Sequence, residues 1–200
     1  MKVDKENQLT FGKGNPFGTQ AKLFLHKERM AEYLSTGDTK VPVFMEVGLT
    51  NRCNENCFWC ITENGRDNIK GAQLEIEPLK QFLEDFAEMG GKAVTFCGQG
   101  EPTMYPHFIE AAEKAKEVGL QLGLMSNGVY GSKKNHTIGS LFEWARFSVD
   151  TIDAAKYKEW KELDGVGVIF RNVDALRDYP IRLGVNCNVG MNITVSTLGS

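Results

Sequence analysis

Short apolar runs alternate with longer amphipathic segments along most of the chain. Apolar runs bounded by turn residues predict strands, and apolar residues spaced three and four apart predict helices. The predicted strands are 43–49, 92–97, 120–126, 145–149 and 181–189. The predicted helices are 19–35, one from about Pro78 to Gly90, one from about Pro106 to Val118, and then 137–143, 153–162 and 166–177. Because strands and helices alternate, we predict an α/β fold with a parallel sheet and right-handed crossovers.

The chain has the length of an open or partial barrel. A closed eight-stranded barrel takes about 250 residues, whereas this chain has 200 residues. We divide it into an N-terminal arm and helix at 1–40, a core at 41–195 and a polar tail at 196–200. Hydrophobic residues make up 42% of the whole chain, which is enough to bury a sizeable apolar interior.

Four loops with unusual chemistry each follow a predicted strand. They are a cysteine-rich loop after the first strand, 98–102 after the second, 126–128 after the third and 148–150 after the fourth. In parallel α/β folds, ligands bind at the carboxyl ends of the strands. The four loops therefore predict one binding site on that edge of the sheet.

The first loop holds three of the five cysteines, spaced as Cys53-x3-Cys57-x2-Cys60. A structural zinc site takes four protein ligands, so three thiolates leave one metal position open, as catalytic sites do. The alternative is a zinc knuckle in which His107 or His136 is the fourth ligand. The remaining cysteines, Cys97 and Cys187, lie in apolar runs and are predicted to be small buried residues.

Composition and charge limit the binding partners and the cellular compartment that we expect. A net charge of −3 and a pI near 5.7 provide no general basic field, so nucleic acid is not expected as a partner. No apolar run is long enough to span a membrane, and the polar first residues do not resemble a signal peptide. We therefore predict a cytoplasmic protein with no membrane contact. In that reducing compartment, clustered cysteines are more often metal ligands than disulfides.

The four loops together resemble the motifs of the radical S-adenosylmethionine (SAM) superfamily. The cysteine spacing, with Phe58 and Trp59 before the last cysteine, resembles the signature of that family. Gly98-Gln99-Gly100-Glu101-Pro102 resembles its glycine-glycine-glutamate-proline motif, with Gln99 between the two glycines. Ser126-Asn127-Gly128 and Ser148-Val149-Asp150 resemble the ends of its third and fourth strands. The resemblance covers about 41–195 and implies a partial (β/α)6-type TIM-like barrel that lacks the last strand–helix unit.

The resemblance also implies the cofactors and the chemistry. It implies a [4Fe–4S] cluster on Cys53, Cys57 and Cys60, with SAM bound to the fourth iron. One electron from a flavodoxin- or ferredoxin-type donor would split SAM into methionine and a 5′-deoxyadenosyl radical, which abstracts hydrogen from the substrate. With only Cys97 and Cys187 after Cys60, we expect one cluster and no auxiliary one.

The same resemblance implies roles for the SAM contacts. Gly98, Gln99, Gly100 and Glu101 would lie near the methionine ammonium, and Ser126 and Asn127 near its carboxylate. Ser148 or Asp150 would bind the ribose, Trp59 would face the adenine, and Asn188, with Gly190, would lie on the adenine side. Three of these groups have a plainer alternative: Glu101 as a solvated acid, Ser126–Gly128 as a tight turn, and Ser148 or Asp150 as a helix N-cap.

Three functions follow, in order of preference. The first is a radical SAM enzyme that acts on a small metabolite such as a sugar, an aminocyclitol or a nucleotide-linked compound. The second is a radical SAM enzyme that modifies a peptide or protein, or activates a glycyl-radical enzyme. The third is a non-catalytic zinc-binding module.

Overall fold

The computed structural model describes residues 2–3, 9–10, 26–38, 41–60, 71–183 and 187–193, with 2–3, 9–10 and 179–183 described by backbone alone. The chain divides into two compact units, Met1–Pro42 and Val43–Ser200. The predicted tail at 196–200 lies outside the described residues.

The first unit contains a short antiparallel pair and one helix. Strand β1 (Lys2–Val3) pairs with β2 (Leu9–Thr10), and helix α1 spans Lys27–Thr36. Gly37 ends α1 with a left-handed φ of 72°, and its N–H donates to the Tyr33 carbonyl. The helix predicted at 19–35 thus begins at Lys27 within the described residues, and positions 19–25 lie outside them.

The second unit is a five-stranded parallel sheet with helices between its strands. The strand order is β3-β4-β5-β6-β7, which is the order along the chain, and the sheet does not close into a barrel. This confirms the predicted α/β fold with a partial, TIM-like sheet. The strands are β3 (Phe44–Gly48), β4 (Ala93–Cys97), β5 (Gln121–Ser126), β6 (Trp144–Ser148) and β7 (Asn188–Asn192). The helices are α2 (Ile76–Glu88), α3 (Phe108–Glu117), α4 (Lys133–Leu141), α5 (Ala154–Lys161) and α6 (Val166–Leu183).

The apolar core lies between the sheet and the helices. Leu79, Leu83 and Phe86 of α2 are buried, as their helical spacing predicts, whereas Phe82 is 36% exposed. Phe96 packs edge-on against Phe108, with ring centroids 6.2 Å apart. These contacts fix the sheet, so that the loops after its strands start from defined positions. Among the described residues, none of the helices is both long and apolar enough to cross a bilayer.

Three elements differ from the sequence predictions. The strand predicted at 181–189 is wrong over its first part, because α6 continues to Leu183 and β7 begins at Asn188. Leu183 lies seven residues after Leu176, as on one face of a helix, and two residues after Ile181, as on one face of a strand, so its spacing suits both elements. The helix predicted at 137–143 spans Lys133–Leu141, so it begins earlier than predicted, at the polar pair Lys133-Lys134. A 3-10 turn at Pro102–Met104 had no apolar pattern to predict it.

Candidate functional site

The cysteine loop begins at a fixed point beside the start of α2. The Asn51 N–H donates to the Ala72 carbonyl at 2.8 Å, and the Leu74 N–H donates to the Leu49 carbonyl at 3.0 Å. Thr50 also forms an antiparallel bridge with Gln73. The chain therefore leaves β3 in a set direction before it reaches Cys53.

The loop after β4 lies directly on the beginning of the cysteine loop. A Cβ on Gly98, whose φ is 143°, would lie 2.8 Å from the Gly48 Cα. A Cβ on Gly100 would lie 2.4 Å from the Arg52 carbonyl oxygen. The Glu101 N–H donates to that same oxygen at 2.8 Å. Close contact with the last residue of β3 explains Gly98, and close contact with the cysteine loop explains Gly100, while Gln99 lies between the two glycines. The approach of these residues to the methionine ammonium stays a prediction.

Glu101 joins the β4 loop to the turn after β5. Its side chain is 3% exposed, which excludes the alternative of a solvated acid. One carboxylate oxygen accepts from the Thr103 N–H at 3.0 Å, the Thr103 hydroxyl at 2.7 Å and the Ser126 hydroxyl at 2.8 Å. The other accepts from the Asn127 N–H at 2.7 Å. Burial raises the pKa of Glu101 above its ordinary value, and the hydrogen bonds from Asn127, Thr103 and Ser126 oppose that rise.

Ser126, Asn127 and Gly128 form a tight turn that also contacts the cysteine loop. Gly128 has a left-handed φ of 80°, and its N–H donates to the Ser126 hydroxyl at 3.0 Å. The Asn127 side-chain amide donates to Asn54 Oδ1 at 2.7 Å, and Asn54 in turn donates to the Val129 carbonyl at 2.8 Å. Sequence reasoning missed Asn54; its place directly after Cys53 was the available signal.

Ser148 and Asp150 lie at the end of β6, and neither caps the following helix. The N-cap of α5 is Asp153, which accepts from the N–H groups of Ala155 and Lys156. The helix-cap alternative is therefore wrong. Asp150 is buried, has a left-handed φ of 60°, and lies 2.8 Å from the Lys161 ammonium. The same ammonium donates to the Ser148 carbonyl at 2.9 Å.

Lys161 belongs to a buried polar cluster that includes Glu55 of the cysteine loop. Its ammonium lies 3.3 Å from Glu55 Oε2, and the Tyr157 hydroxyl donates to Glu55 Oε1. Burial lowers the pKa of Lys161, but the carboxylates of Glu55 and Asp150 outweigh it, so the pKa stays above its ordinary value. Sequence reasoning found no member of this cluster except Asp150.

The end of α5 holds the cysteine loop through its backbone. The Asn56 N–H donates to the Lys161 carbonyl at 3.0 Å, and the Phe58 N–H donates to the Trp160 carbonyl at 3.1 Å. The last carbonyls of a helix have no partner within the helix. The loop supplies partners for two of them, and this places the cysteines over the end of α5.

The two residues predicted near adenine lie apart from each other. Trp59 is 37% exposed and packs edge-on against Phe58 and Trp160, with ring centroids 4.5 Å and 5.6 Å away. Asn188 is the first residue of β7, at the edge opposite to the loops, and its N–H donates to the Glu143 carbonyl. Asn192 ends β7 instead, and its carbonyl accepts from the Val149 N–H at 3.0 Å. The structure therefore does not bring Asn188 to the other predicted residues, and Gly190 lies midway along the strand.

Cys53, Cys57 and Cys60 are present as thiols rather than disulfides, and each is partly buried. The Glu55 N–H donates to the Cys53 sulfur at 3.4 Å, and the Cys57 thiol donates to Glu55 Oε2 at 3.5 Å. Burial raises the pKa of Cys57 to about 12, with Lys161 opposing the rise. Three thiols on one loop are the donor set of an iron–sulfur cluster with one open iron, so the residues present fit that group.

The three cysteines of the loop do not gather into a preformed metal site in the described part of the chain. Within the described residues, no three His, Cys, Asp or Glu side chains gather into a metal-binding group. The cluster ligands therefore remain predicted from donor chemistry and spacing. For the zinc alternative, His107 lies 3.0 Å from Glu110 Oε2 at the start of α3, so the structure adds no support for it as a fourth ligand.

The sheet is parallel and open, and the cysteine loop after β3 packs on the glycine–glutamate loop after β4. This arrangement is typical of α/β proteins that bind a cofactor at the carboxyl ends of their strands. Residues 47–197 match the radical SAM superfamily. The chain belongs to that superfamily, whose members use a [4Fe–4S] cluster and SAM.

Individual relatives are more distant. A probable GTP 3′,8-cyclase of Pyrococcus abyssi is 26% identical over 152 residues, which cover 74% of this chain and 48% of that protein. A GTP 3′,8-cyclase of Rhizobium etli is 24% identical over 148 residues, covering 72% of this chain and 42% of that protein. The chain thus spans about half the length of the curated relatives it matches.

Solved structures show the same fold. SuiB of Streptococcus suis bound to S-adenosylmethionine superposes with a TM-score of 0.66 at 14% identity, covering 94% of this chain and 42% of SuiB. The anSMEcpe protein with bound AdoMet superposes with a TM-score of 0.55 at 17% identity, covering 73% of this chain and 42% of anSMEcpe. At these identities the likeness is one of fold.

Proposed function

We propose that this chain carries the cofactor-binding core of a radical SAM enzyme that abstracts hydrogen from a small metabolite. A core at 41–195 and an N-terminal arm and helix at 1–40 remain our proposed domain division, and the family match at 47–197 supports the core. The observation that carries the proposal is the meeting of the cysteine loop, the β4 loop and the β5 turn through Glu101 and Asn54.

Each part of the chain has a proposed task. Cys53, Cys57 and Cys60 hold the cluster, and each thiol gives up its proton on binding iron. When bound, the cluster supplies the electron that splits SAM into methionine and a 5′-deoxyadenosyl radical. Backbone at 98–101 and the turn at Ser126 and Asn127 orient the methionine end of SAM, while the end of β6 orients the ribose.

The substrate we favour is a nucleotide-linked metabolite. The curated relatives with 26% and 24% identity are named as GTP 3′,8-cyclases, which supports this class. The net charge of −3 does not favour nucleic acid. We further propose a flavodoxin- or ferredoxin-type electron donor, because the chemistry needs single electrons, and a cytoplasmic location, because the cluster needs reduced thiols.

Anaerobic reconstitution with iron and sulfide tests the proposal. We expect a brown protein whose reduced cluster gives an electron paramagnetic resonance (EPR) signal that changes on addition of SAM. Release of 5′-deoxyadenosine should then be stimulated by nucleoside triphosphates or nucleotide sugars. Stimulation by peptides instead would favour the peptide-modifying alternative, and a colourless zinc protein with no such signal would refute both.

A further inference from the structure

One buried cation connects two loops of the site. The Lys161 side chain is 2% exposed and reaches the cysteine loop at Glu55, 3.3 Å away. It also reaches the end of β6, at Asp150 Oδ2 2.8 Å away and at the Ser148 carbonyl 2.9 Å away. The cysteine loop and the end of β6 therefore both contact the same buried ammonium.

The charges in this contact are not explained by packing. Apolar residues of similar volume often fill such a space at a lower desolvation cost than an ion pair. Glu55 and Asp150 are 4% and 8% exposed, so loss of the Lys161 ammonium would remove a cation from beside each of two buried carboxylates. What the ion pairs add is geometry, since they fix where the loops lie relative to each other.

Lys161 itself is held in place from several sides. The Tyr157 hydroxyl donates to Glu55 Oε1, and the Lys161 ammonium lies 5.0 Å from the centre of the Tyr157 ring. The Lys161 carbonyl accepts from the Asn56 N–H at 3.0 Å. Both the side chain and the backbone of this one residue thus contact the cysteine loop.

We propose that Lys161 is a positioning residue that couples the cysteine loop to the end of β6, so that a ligand touching both loops meets them already aligned. The inference rests on the proposed function, in which the cluster lies on the cysteine loop and the SAM ribose lies at the end of β6. Fixing the two loops before binding removes the cost of ordering them on binding.

Hydrogen exchange of the anaerobically reconstituted full chain tests the coupling. The reporters are the amides of Asn56 and Phe58 in the cysteine loop and of Val149 and Asp150 at the end of β6. In Lys161→Met we expect faster exchange at both sets. The matched control is Lys158→Met, an exposed lysine of the same helix, which should exchange at the parent's rates.

Two further variants keep the test decisive if Lys161→Met does not fold. Glu55→Gln weakens the contact to the cysteine loop, and Asp150→Asn weakens the contact to β6. Coupling through Lys161 requires each to speed exchange on the far side: Glu55→Gln at Val149, and Asp150→Asn at Asn56. Effects confined to the side of the substitution, in both variants, would overturn the proposal.

SAM affinity provides a second readout that a merely structural role would not change. If Lys161→Met folds and keeps the parent's iron content, we expect SAM to bind on the order of tenfold more weakly, as judged by titrating the EPR change. Unchanged affinity in that variant would also overturn the proposal. If the parent itself shows no SAM-dependent signal, the proposed function fails, and the exchange measurements still decide whether the two loops are coupled.

Discussion

At the scale of single residues, Glu101 connects the β4 loop to the β5 turn through a fully bonded carboxylate. Glu101→Ala leaves the buried N–H groups of Asn127 and Thr103 without their acceptor. An unsatisfied buried donor costs about 1–3 kcal/mol, so we expect the free energy of unfolding to fall by about 3 kcal/mol. SAM affinity should fall as well, because the turn is displaced, while the iron content stays near that of the parent. Urea unfolding, SAM titration and iron analysis measure the three quantities.

The control for that substitution is Glu113→Ala, an exposed glutamate on α3, which should leave all three quantities unchanged. Equal unfolding free energies for Glu101→Ala and the parent would contradict the bridging role. Loss of iron together with SAM binding would mean that Glu101 also maintains the cysteine loop.

Gly100 is required by the backbone that faces it. A Cβ at this position would lie 2.4 Å from the Arg52 carbonyl oxygen and 2.5 Å from that of Thr50. Because both neighbours are backbone atoms, Gly100→Ala must push the β4 loop away from the cysteine loop. Overpacking of this kind lowers the free energy of unfolding by about 1–3 kcal/mol. Gly131→Ala is the matched control, since a Cβ there meets nothing within 4 Å. Thermal unfolding should show a lower melting temperature for Gly100→Ala alone; similar values for both variants would contradict the close contact.

At the scale of secondary structure elements, helix α5 connects its own N-cap to the cysteine loop at its other end. Asp153 accepts from the Ala155 and Lys156 N–H groups at 2.9 Å and 3.1 Å. Asp153→Ala removes this cap and should lower the free energy of unfolding by about 1 kcal/mol. Because the last carbonyls of α5 bind the cysteine loop, hydrogen exchange at Asn56 and Phe58 should become faster. The control is Asp153→Asn, which keeps a capping oxygen and should show neither change. Slower exchange at Asn56 and Phe58 in Asp153→Ala would contradict the prediction.

The secondary structure elements also show how much of the fold could be predicted from the sequence. The strand positions followed from local apolar patterns, and the gathering of the polar loops at one edge followed from the rule that ligands bind at the carboxyl ends of parallel strands. The start of β7 could not be predicted, since the pattern around Leu183 suits a helix and a strand alike. The buried polar cluster around Lys161 could not be predicted either, because Glu55 and Tyr157 are 102 residues apart and meet only through the tertiary fold.

At the scale of the whole molecule, the number and placement of the cysteines limit the iron that the chain can hold. Past the cysteine loop only Cys97 and Cys187 remain, and a [4Fe–4S] cluster needs at least three thiolates in this family's arrangement. Cys97 ends β4, and Cys187 is buried just before β7, so neither belongs to the loop. We therefore expect about four irons and about four sulfides per reconstituted chain, as one cluster requires.

Single alanine substitutions distinguish the cysteines that bind the cluster from those that do not. Cys53→Ala, Cys57→Ala and Cys60→Ala should each abolish the cluster and the cleavage of SAM, because the loop then offers only two thiolates. Cys187→Ala is the control: it removes a buried thiol of the same chain and should keep the parent's iron content and EPR signal, with at most a small loss of stability. Turnover retained in any one of the three loop variants would show that the cluster is held elsewhere. Loss of the cluster in Cys187→Ala without unfolding would show that the ligand set extends beyond the loop.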